Sequence, residues 1–220
     1  MRIVLINPNT TQAFTDDMVA LANAEAPTDV QVTGITARFG APLITSAAQY
    51  DEADAAVLAL IDELKRADAV IVSAFGDPGR DALADRLPVP VVGLAEASFE
   101  IAAGHMSGRF GVVTTMRDLC PRIEALALQH GHAERLVSVR VTSGDPSAIV
   151  ADGAALVDAL ADAGAAAACE DGAEVIIVGG GPLAGTVPSL ARRLGVPVIS
   201  PVAAAVAVAV RRARARAYAG

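Results

Sequence analysis

The residues that could do chemistry in this chain are small and polar, and they stand where predicted strands end. The first predicted strand runs into Asn7-Pro8-Asn9-Thr10, and a later one ends in Thr114-Thr115. Two further strands are followed by loops of small residues, 73–79 and 179–183, and each loop carries a proline that fits the first position of a helix. The N–H groups at such a helix start favour carboxylate or enolate oxygens. The pattern therefore predicts a small ligand with a negative charge or a carbonyl group.

Each of these motifs also has an ordinary structural explanation. Asp77, which precedes Pro78, is typical of a helix N-cap. The glycines at 179–181 allow one backbone to pass close to another, and Asn7 and Asn9 belong to a turn-forming Asn-Pro sequence. The convergence of four such loops, rather than any one of them, favours a binding site.

The sequence gives little support to other kinds of site. His105, His130 and His132 are scattered, and no group of His, Cys, Asp or Glu has the spacing of metal ligands, so we expect no metal. Cys120 and Cys169 are interpreted as buried structural thiols. Cys120 is kept as an alternative reactive thiol, because a predicted helix starts there and a helix N-terminus lowers the pKa of a thiol.

The elements that position these residues follow a regular alternation. Short β-branched segments alternate with longer segments that are rich in Ala and Leu and have a helical period. The predicted strands are 3–6, 30–35, 69–73, 89–93, 110–114, 136–141, 175–178 and 196–199, and the clearest helices are 11–25, 53–65, 118–130 and 153–170. Nearly continuous apolar strands separated by helices are typical of a mainly parallel sheet with helices on both faces, so the predicted fold class is α/β.

The chain also contains an internal repeat. Arg2–Ile6 matches Arg109–Val113, 107 residues later; two more pairs of segments share that shift, and a fourth pair is offset by 106. We therefore predict two lobes, one made of residues 1–98 and 201–220 and the other of residues 99–200. Because ligands of parallel sheets bind beyond the carboxyl ends of the strands, we expect an active-site cleft between two pseudosymmetric lobes.

Composition limits the class of protein. The chain has 220 residues, of which 53% are hydrophobic and 19% charged, and this excludes a disordered chain. A net charge of −8 and an aromatic content of 3% argue against nucleic-acid binding. Apolar runs fall short of the ~20 residues that cross a bilayer, and the first residues lack the features of a signal peptide. We expect a cytoplasmic protein that binds neither nucleic acid nor membrane.

Several motifs together resemble the Asp/Glu/hydantoin racemase family, and in particular its hydantoin and allantoin racemases. These motifs are Asn7–Thr10, Arg38–Ile44, Phe75–Gly79, Gly93–Ala97 and Val112–Thr115, and the similarity spans essentially the whole chain. The resemblance implies two pseudosymmetric α/β lobes, no cofactor, a small-molecule substrate with a carbonyl or carboxylate, and a homo-oligomer. It also implies inversion of a stereocentre beside a carbonyl by two cysteines, one from each lobe.

The positions of those two cysteines are Ala74 and Gly180 in this chain. Neither residue can move a proton, and the loss of one positioned acid or base lowers a rate by about 10²–10⁴-fold. We therefore expect no two-cysteine mechanism. The resemblance still implies substrate binding by Asn9, Ser46, Ala74, Phe75, Gly76, Thr114, Thr115, Gly180, Gly181 and Pro182.

Three functions remain open from the sequence. The first is a racemase or epimerase of a small amino-acid-derived or hydantoin-like compound, as the resemblance implies. The second is a cysteine-independent lyase, hydrolase or isomerase of a small carboxylate in the same pocket, with Asp77, Glu96 and Ser73 as the candidate catalytic residues. The third is a small-molecule binder that keeps the pocket without catalysis.

Overall fold

The first half of the chain forms an α/β unit around one parallel sheet. The computed structural model describes residues 1–144 and 146–219, and Met1–Ala97 form one compact unit together with the C-terminal helix from Val202. Its elements are β1 (Arg2–Asn7), α1 (Gln12–Glu25), β2 (Gln31–Thr36), α2 (Ala47–Leu58), β3 (Ala69–Val72), α3 (Arg80–Ala84), β4 (Val91–Gly93) and the start of α4 (Leu94–Ala103). The four strands are parallel, in the order β2-β1-β3-β4.

The second unit, Ser98–Pro201, repeats this arrangement. After the remainder of α4 it contains β5 (Phe110–Thr114), α5 (Cys120–Gln129), β6 (Leu136–Val141), α6 (Pro146–Ala151), α7 (Gly153–Cys169), β7 (Val175–Val178), α8 (Val187–Arg193) and β8 (Val198–Ile199). The strands are again parallel, in the order β6-β5-β7-β8. The α/β prediction is confirmed, and the identical strand order accounts for the internal repeat.

The central strands are buried because helices cover both faces of each sheet. Every residue of β3 and of β7 is buried, and their Val and Ile side chains belong to the hydrophobic cores of the two units. Full burial of each such side chain contributes about 1.5–3 kcal/mol. In each sheet the two central strands fix where the loops that follow them begin. These strands are β1 and β3 in the first unit and β5 and β7 in the second.

One helix boundary differs from the sequence prediction for a local reason. Helix α2 begins at Ala47, six residues before the predicted start at Ala53, and ends at Leu58, after which Ile61–Leu64 form a 3₁₀ turn. Ser46 is its N-cap: the Ser46 hydroxyl accepts a hydrogen bond from the Gln49 N–H, and the Gln49 side chain accepts one from the Ser46 N–H at 3.2 Å. This capping box starts the helix early.

The last helix, α9 (Pro201–Ala219), packs against the first unit. Ala205, Val208 and Ala209 are fully buried on it. At its charged end, Arg214 binds both carboxylate oxygens of Asp29 at 2.9 and 3.0 Å. Within residues 1–144 and 146–219, no helix combines the length and apolar character that a membrane span requires.

Helix α1 lies so close to β2 that Gly34 has no room for a side chain. A Cβ atom there would stand 2.6 Å from the Thr15 Cγ2 atom and 2.7 Å from the Val19 Cγ2 atom, and both neighbours are β-branched and stiff. We expect Gly34→Ala to lower the free energy of unfolding by about 1–3 kcal/mol in urea titrations. Gly195→Ala is the matched control, because nothing lies within 4 Å of its added Cβ. Equal stabilities for the two variants would contradict this packing.

Candidate active site

At the end of β1, two asparagines build a turn from their own side chains. The Asn7 amide donates to the Asn9 Oδ1 atom at 3.0 Å and to the Thr15 hydroxyl at 3.0 Å, while the Asn7 Oδ1 atom accepts from the Asn9 N–H at 3.2 Å. Both asparagines are buried. Among the described residues the Asn9 Nδ2 group has no hydrogen-bond acceptor, so it is a donor that a ligand can use.

The loop after β3 is held by helix α2 at two points. The Tyr50 hydroxyl donates to the Phe75 carbonyl at 3.2 Å, and the Asp54 carboxylate accepts from the Gly79 N–H at 2.7 Å. Gly76 has φ 153°, and a Cβ there would lie 2.6 Å from the Tyr50 ring. Glycine is therefore needed at position 76, and the loop is rigid rather than free to adapt.

Ser73 and Ala74 stand at the start of this loop. The Ser73 hydroxyl donates to the Ile6 carbonyl at 2.8 Å, so its proton is engaged with the backbone of β1. The Ala74 carbonyl accepts from the Asp77 N–H at 3.0 Å and closes the turn. The main-chain N–H of Ala74 makes no hydrogen bond within the part of the chain that the structure describes, and the residue is only partly buried.

Asp77 caps a helix, but not the one that follows it in sequence. Its two carboxylate oxygens accept from the N–H groups of Ala95 and Glu96, both at 2.9 Å, at the start of α4. Gly93 makes room for this contact, since a Cβ there would stand 2.1 Å from the Asp77 Cγ atom. Pro78 does not open a helix either, because α3 begins at Arg80. The predicted helix start at Pro78 is wrong.

The protonation of Asp77 reflects competing effects. Burial raises the pKa of Asp77 to about 7 from its ordinary value of 3.8. The two N–H groups that it accepts from oppose this rise, the nearby Glu96 carboxylate adds to it, and the Arg80 guanidinium opposes it. Asp77 therefore combines a structural role with a pKa suited to proton transfer near neutral pH.

Glu96 is held by two guanidinium groups. Arg80 donates to both of its oxygens, at 3.0 and 2.7 Å, and Arg212 of α9 donates to Oε1 at 2.7 Å. The Gly93 N–H also donates to Glu96 at 3.3 Å. Because the Glu96 side chain is only 7% exposed, this network fixes α9 and the start of α4 to each other.

In the second unit, the end of β5 presents two buried threonines. The Thr114 hydroxyl accepts from the Met116 N–H at 3.4 Å, and the Thr114 carbonyl accepts from the Thr142 N–H at 2.9 Å. Neither the N–H nor the hydroxyl of Thr115 has a hydrogen-bond partner among the described residues. Thr115 is therefore the residue of this strand end with donors available to a ligand.

The loop after β7 approaches β5 through Gly179, whose N–H donates to the Val113 carbonyl at 2.7 Å. At Gly180 the φ angle is 176°, which any residue can adopt, but a Cβ would lie 2.9 Å from the Cγ and Cδ1 atoms of the buried Leu183. A larger residue at 180 therefore requires Leu183 to shift. Pro182 is the second residue of the 3₁₀ segment Gly181–Thr186, one position later than the helix start predicted for it.

The structure places the remaining predicted site residues in different surroundings. Ser46 caps α2, and Phe75 is buried in the first unit. Cys120 is partly buried, and the pKa of its thiol is raised, mainly by burial and secondly by the Glu124 carboxylate. This shift is opposite to the expected lowering. Cys169 is exposed, so its prediction as a buried thiol is wrong. In residues 1–144 and 146–219 no three His, Cys, Asp or Glu side chains form a possible metal site.

Sequence reasoning missed Asp54, Arg80 and Arg212 among the residues that support this site, whereas Tyr50 was noted as a polar residue that could face the ligand. Tyr50 and Asp54, one helical turn apart on α2, hold the loop after β3. Their spacing of four, which puts two polar groups on one helix face, was the available signal. Arg80 and Arg212 neutralise Glu96, but Arg212 is 116 residues away in sequence, and no local pattern indicates that pair.

The raised pKa of Asp77 predicts a pH-dependent stability. Between about pH 4 and pH 7 the folded chain keeps a proton on Asp77 that the unfolded chain has released. The contribution of Asp77 to the free energy of unfolding therefore falls by about 1.4 kcal/mol per pH unit in this window and levels off above about pH 8. Asp77→Asn lacks this titration. We expect urea titrations to show the wild type losing stability relative to this variant as pH rises to 7. A wild type that gains relative stability over that range would show that the carboxylate caps α4 in its charged form.

Comparisons with known proteins agree with this architecture. A family model described as Asp/Glu/Hydantoin racemase matches residues 3–209. The hydantoin racemase of Paenarthrobacter aurescens is 34% identical over 211 residues, covering 93% of this chain and 88% of that protein. The hydantoin racemase of Rhizobium meliloti is 32% identical over 215 residues, covering 94% and 86%.

Solved structures of similar proteins have the same fold as this chain. The allantoin racemase of Pseudomonas fluorescens superposes with a TM-score of 0.92 at 34% identity, covering 98% of this chain and 92% of that one. Arylmalonate decarboxylase, at 22% identity and a TM-score of 0.65, shares the fold alone. Relatives named as racemases support an enzyme of the isomerase type. The resemblance carried by the motifs is confirmed, and the chain belongs to the Asp/Glu/hydantoin racemase family.

Proposed function

We propose that this chain exchanges the proton on a carbon next to a carbonyl in a small hydantoin-like or amino-acid-derived compound, with water rather than a thiol carrying the proton. Relatives named hydantoin racemase and allantoin racemase align over almost the whole chain, which supports this substrate class. The observation that carries the thiol-free chemistry is that Ala74 and Gly180 stand at the two positions for which the resemblance implies cysteines.

The reaction needs hydrogen-bond donors more than it needs any particular base. Removal of the proton beside a carbonyl leaves an enolate, and donors placed at its oxygen stabilise the charge. Taken by itself, the first unit offers the Ala74 N–H and the Asn9 amide as such donors, and the second unit offers the N–H and hydroxyl of Thr115. Donors of this kind support enolate formation from a ring with more than one carbonyl.

The proton balance is then simple. Hydroxide removes the proton from carbon and becomes water, the electron pair passes to the carbonyl oxygen, and water returns a proton to either face of the carbon. The product is the mirror-image compound and the mass is unchanged. Of the candidate catalytic residues, Ser73 donates to backbone and Glu96 is bound by two arginines, which disfavours both as bases. Asp77, with its pKa of about 7, is the alternative base that the experiment must separate from hydroxide.

The test is proton exchange in D₂O. An enantiopure 5-substituted hydantoin, and separately allantoin, is incubated with the full chain, and NMR follows loss of the ring C–H signal while polarimetry follows loss of rotation. We expect the C–H signal and the optical rotation to be lost at equal rates, and faster than in a protein-free control. The protein-dependent rate should rise about tenfold per pH unit without a plateau near neutrality, because hydroxide and not a side chain takes the proton. We expect Thr115→Val to lower it about tenfold through loss of one donor, and Thr33→Val in β2 to leave it unchanged.

Each alternative has its own outcome. A plateau above about pH 7 that disappears in Asp77→Asn would assign the base to Asp77. A product of changed mass would indicate a lyase or hydrolase. Saturable binding of the hydantoin without any exchange above the control would overturn the proposal and leave a binding protein.

A further inference from the structure

We propose that Thr15 is a positioning residue for the proton exchange, and that it acts through Asn7 to hold the Asn9 amide where a substrate oxygen can receive its hydrogen bond. This inference rests on the proposed function, in which the Asn9 amide is one of the donors that stabilise an enolate. Thr15 lies on α1 and is only 1% exposed, so it cannot contact a ligand itself. Any effect of its hydroxyl on the reaction must pass through the side chains that it binds.

The fold brings five polar side chains together at the end of the first sheet. Strands β1 and β2 pair in parallel with Asn7 opposite Thr36, and each of these is the last residue of its strand. Helix α1 connects the two strands, and its first two turns carry Gln12, Thr15 and Asp16. These five residues, which we call the polar chain, are joined by hydrogen bonds from Asn7 to Asp16.

The direction of each hydrogen bond follows from the surface end of the polar chain. The Asp16 carboxylate can only accept, so the Gln12 side chain turns its NH₂ group to Asp16 at 2.8 Å and its Oε1 atom to Thr36. The Thr36 hydroxyl has one proton and donates it to that Oε1 atom at 2.7 Å. In the 2.6 Å contact between the Thr36 and Thr15 hydroxyls, Thr15 must therefore be the donor.

At the buried end of the polar chain, the Thr15 hydroxyl can only accept, because its proton is engaged with Thr36. It accepts from the Asn7 NH₂ group at 3.0 Å, and the same NH₂ group lies 3.0 Å from the Asn9 Oδ1 atom and 3.1 Å from the Thr11 carbonyl. The Asn7 Oδ1 atom accepts from the Asn9 N–H at 3.2 Å. A reversed Asn7 amide would place donor against donor at Asn9 and acceptor against acceptor at Thr15, so only one orientation is possible.

The orientation of Asn7 decides that of Asn9. The Asn9 Oδ1 atom accepts from the Asn7 NH₂ group and from the Thr11 N–H, each at 3.0 Å. These two bonds hold the amide oxygen against the turn, so the Nδ2 group, which has no acceptor among the described residues, points the other way. Hydrogen bonds to an amide oxygen also polarise the amide and strengthen its N–H groups as donors. Thr15 therefore controls a donor that it does not contact.

The first experiment measures the Asn9 side chain directly and does not depend on activity. Nitrogen relaxation by NMR on the full chain gives an order parameter for the Asn9 NH₂ group. We expect a value near that of a rigid backbone, about 0.85, in the parent and in Thr15→Ser, which keeps the hydroxyl. In Thr15→Val, which has the same shape without the hydroxyl, we expect the value to fall below about 0.6. An equally ordered Asn9 in Thr15→Val would overturn the proposal.

The second experiment is the D₂O exchange assay with an enantiopure 5-substituted hydantoin. A donor to the enolate acts more strongly in the transition state than on the bound substrate, so we expect Thr15→Val to lower kcat and kcat/KM alike by about tenfold, with KM unchanged. Thr15→Ser should stay within about twofold of the parent, because the hydrogen bonds are kept. Thr33→Val makes the same change on β2 outside the polar chain and should match the parent.

Thr36→Val is the second variant, and it decides the question if Thr15→Val does not fold. It removes the acceptor of the Thr15 proton without changing a buried residue, and we expect it to lower kcat by about threefold. A parent that does not exchange the hydantoin proton would contradict the proposed function alone, and the order parameters would still decide the role of Thr15. A parent that does exchange it, with the same kcat in Thr15→Val and Thr36→Val, would overturn the present proposal alone.

Discussion

The cap that Asp77 places on α4 is the contact on which the candidate site residues of the first unit depend. One carboxylate links the loop after β3 to the start of α4, and it does so only because Gly93 leaves space beside it. From α4 the constraint continues through Glu96 to Arg80 and to Arg212 of the last helix. The loop that presents the Ala74 N–H is therefore held by the hydrogen bonds of Asp77 to the start of α4, and that helix start is held in turn by the charge-assisted bonds of Glu96, which are stronger than neutral ones.

Such rigidity supports the proposed function, in which substrate binding does not depend on the groups that transfer the proton. The family architecture is present in full, from the asparagine turn after β1 to the glycine loop after β7, while Ala74 and Gly180 carry no ionisable group. Donors fixed by backbone do not depend on those two side chains. Under the proposed function, a scaffold of this kind would keep its affinity for an enolate-like ligand, and solvent would carry the proton in place of the missing groups.

The fold was predictable from the sequence because its signals are local and repeated. Apolar strands alternate with helical segments, and the repeat near 107 residues predicts two copies of one topology. The motifs also led to the family. The partners of the site residues were not predictable, because they depend on tertiary contacts: Asp77 caps a helix 17 residues onward rather than the next one, and Glu96 meets Arg212. The thiols show the same limit, since Cys169 lies in an apolar helix yet is exposed.

The central claim is that positions 74 and 180 lack only their proton-transferring groups. Its most direct test is to introduce Ala74→Cys and Gly180→Cys together, with Leu183→Val to make room at position 180. We predict that this variant exchanges the hydantoin proton faster than the parent by about 10²-fold or more, and that its rate levels off at the pH where the thiols ionise. The same variant with serine at both positions is the control and should stay at the parental rate. A folded, hydantoin-binding cysteine variant with no gain over the serine control would contradict the claim.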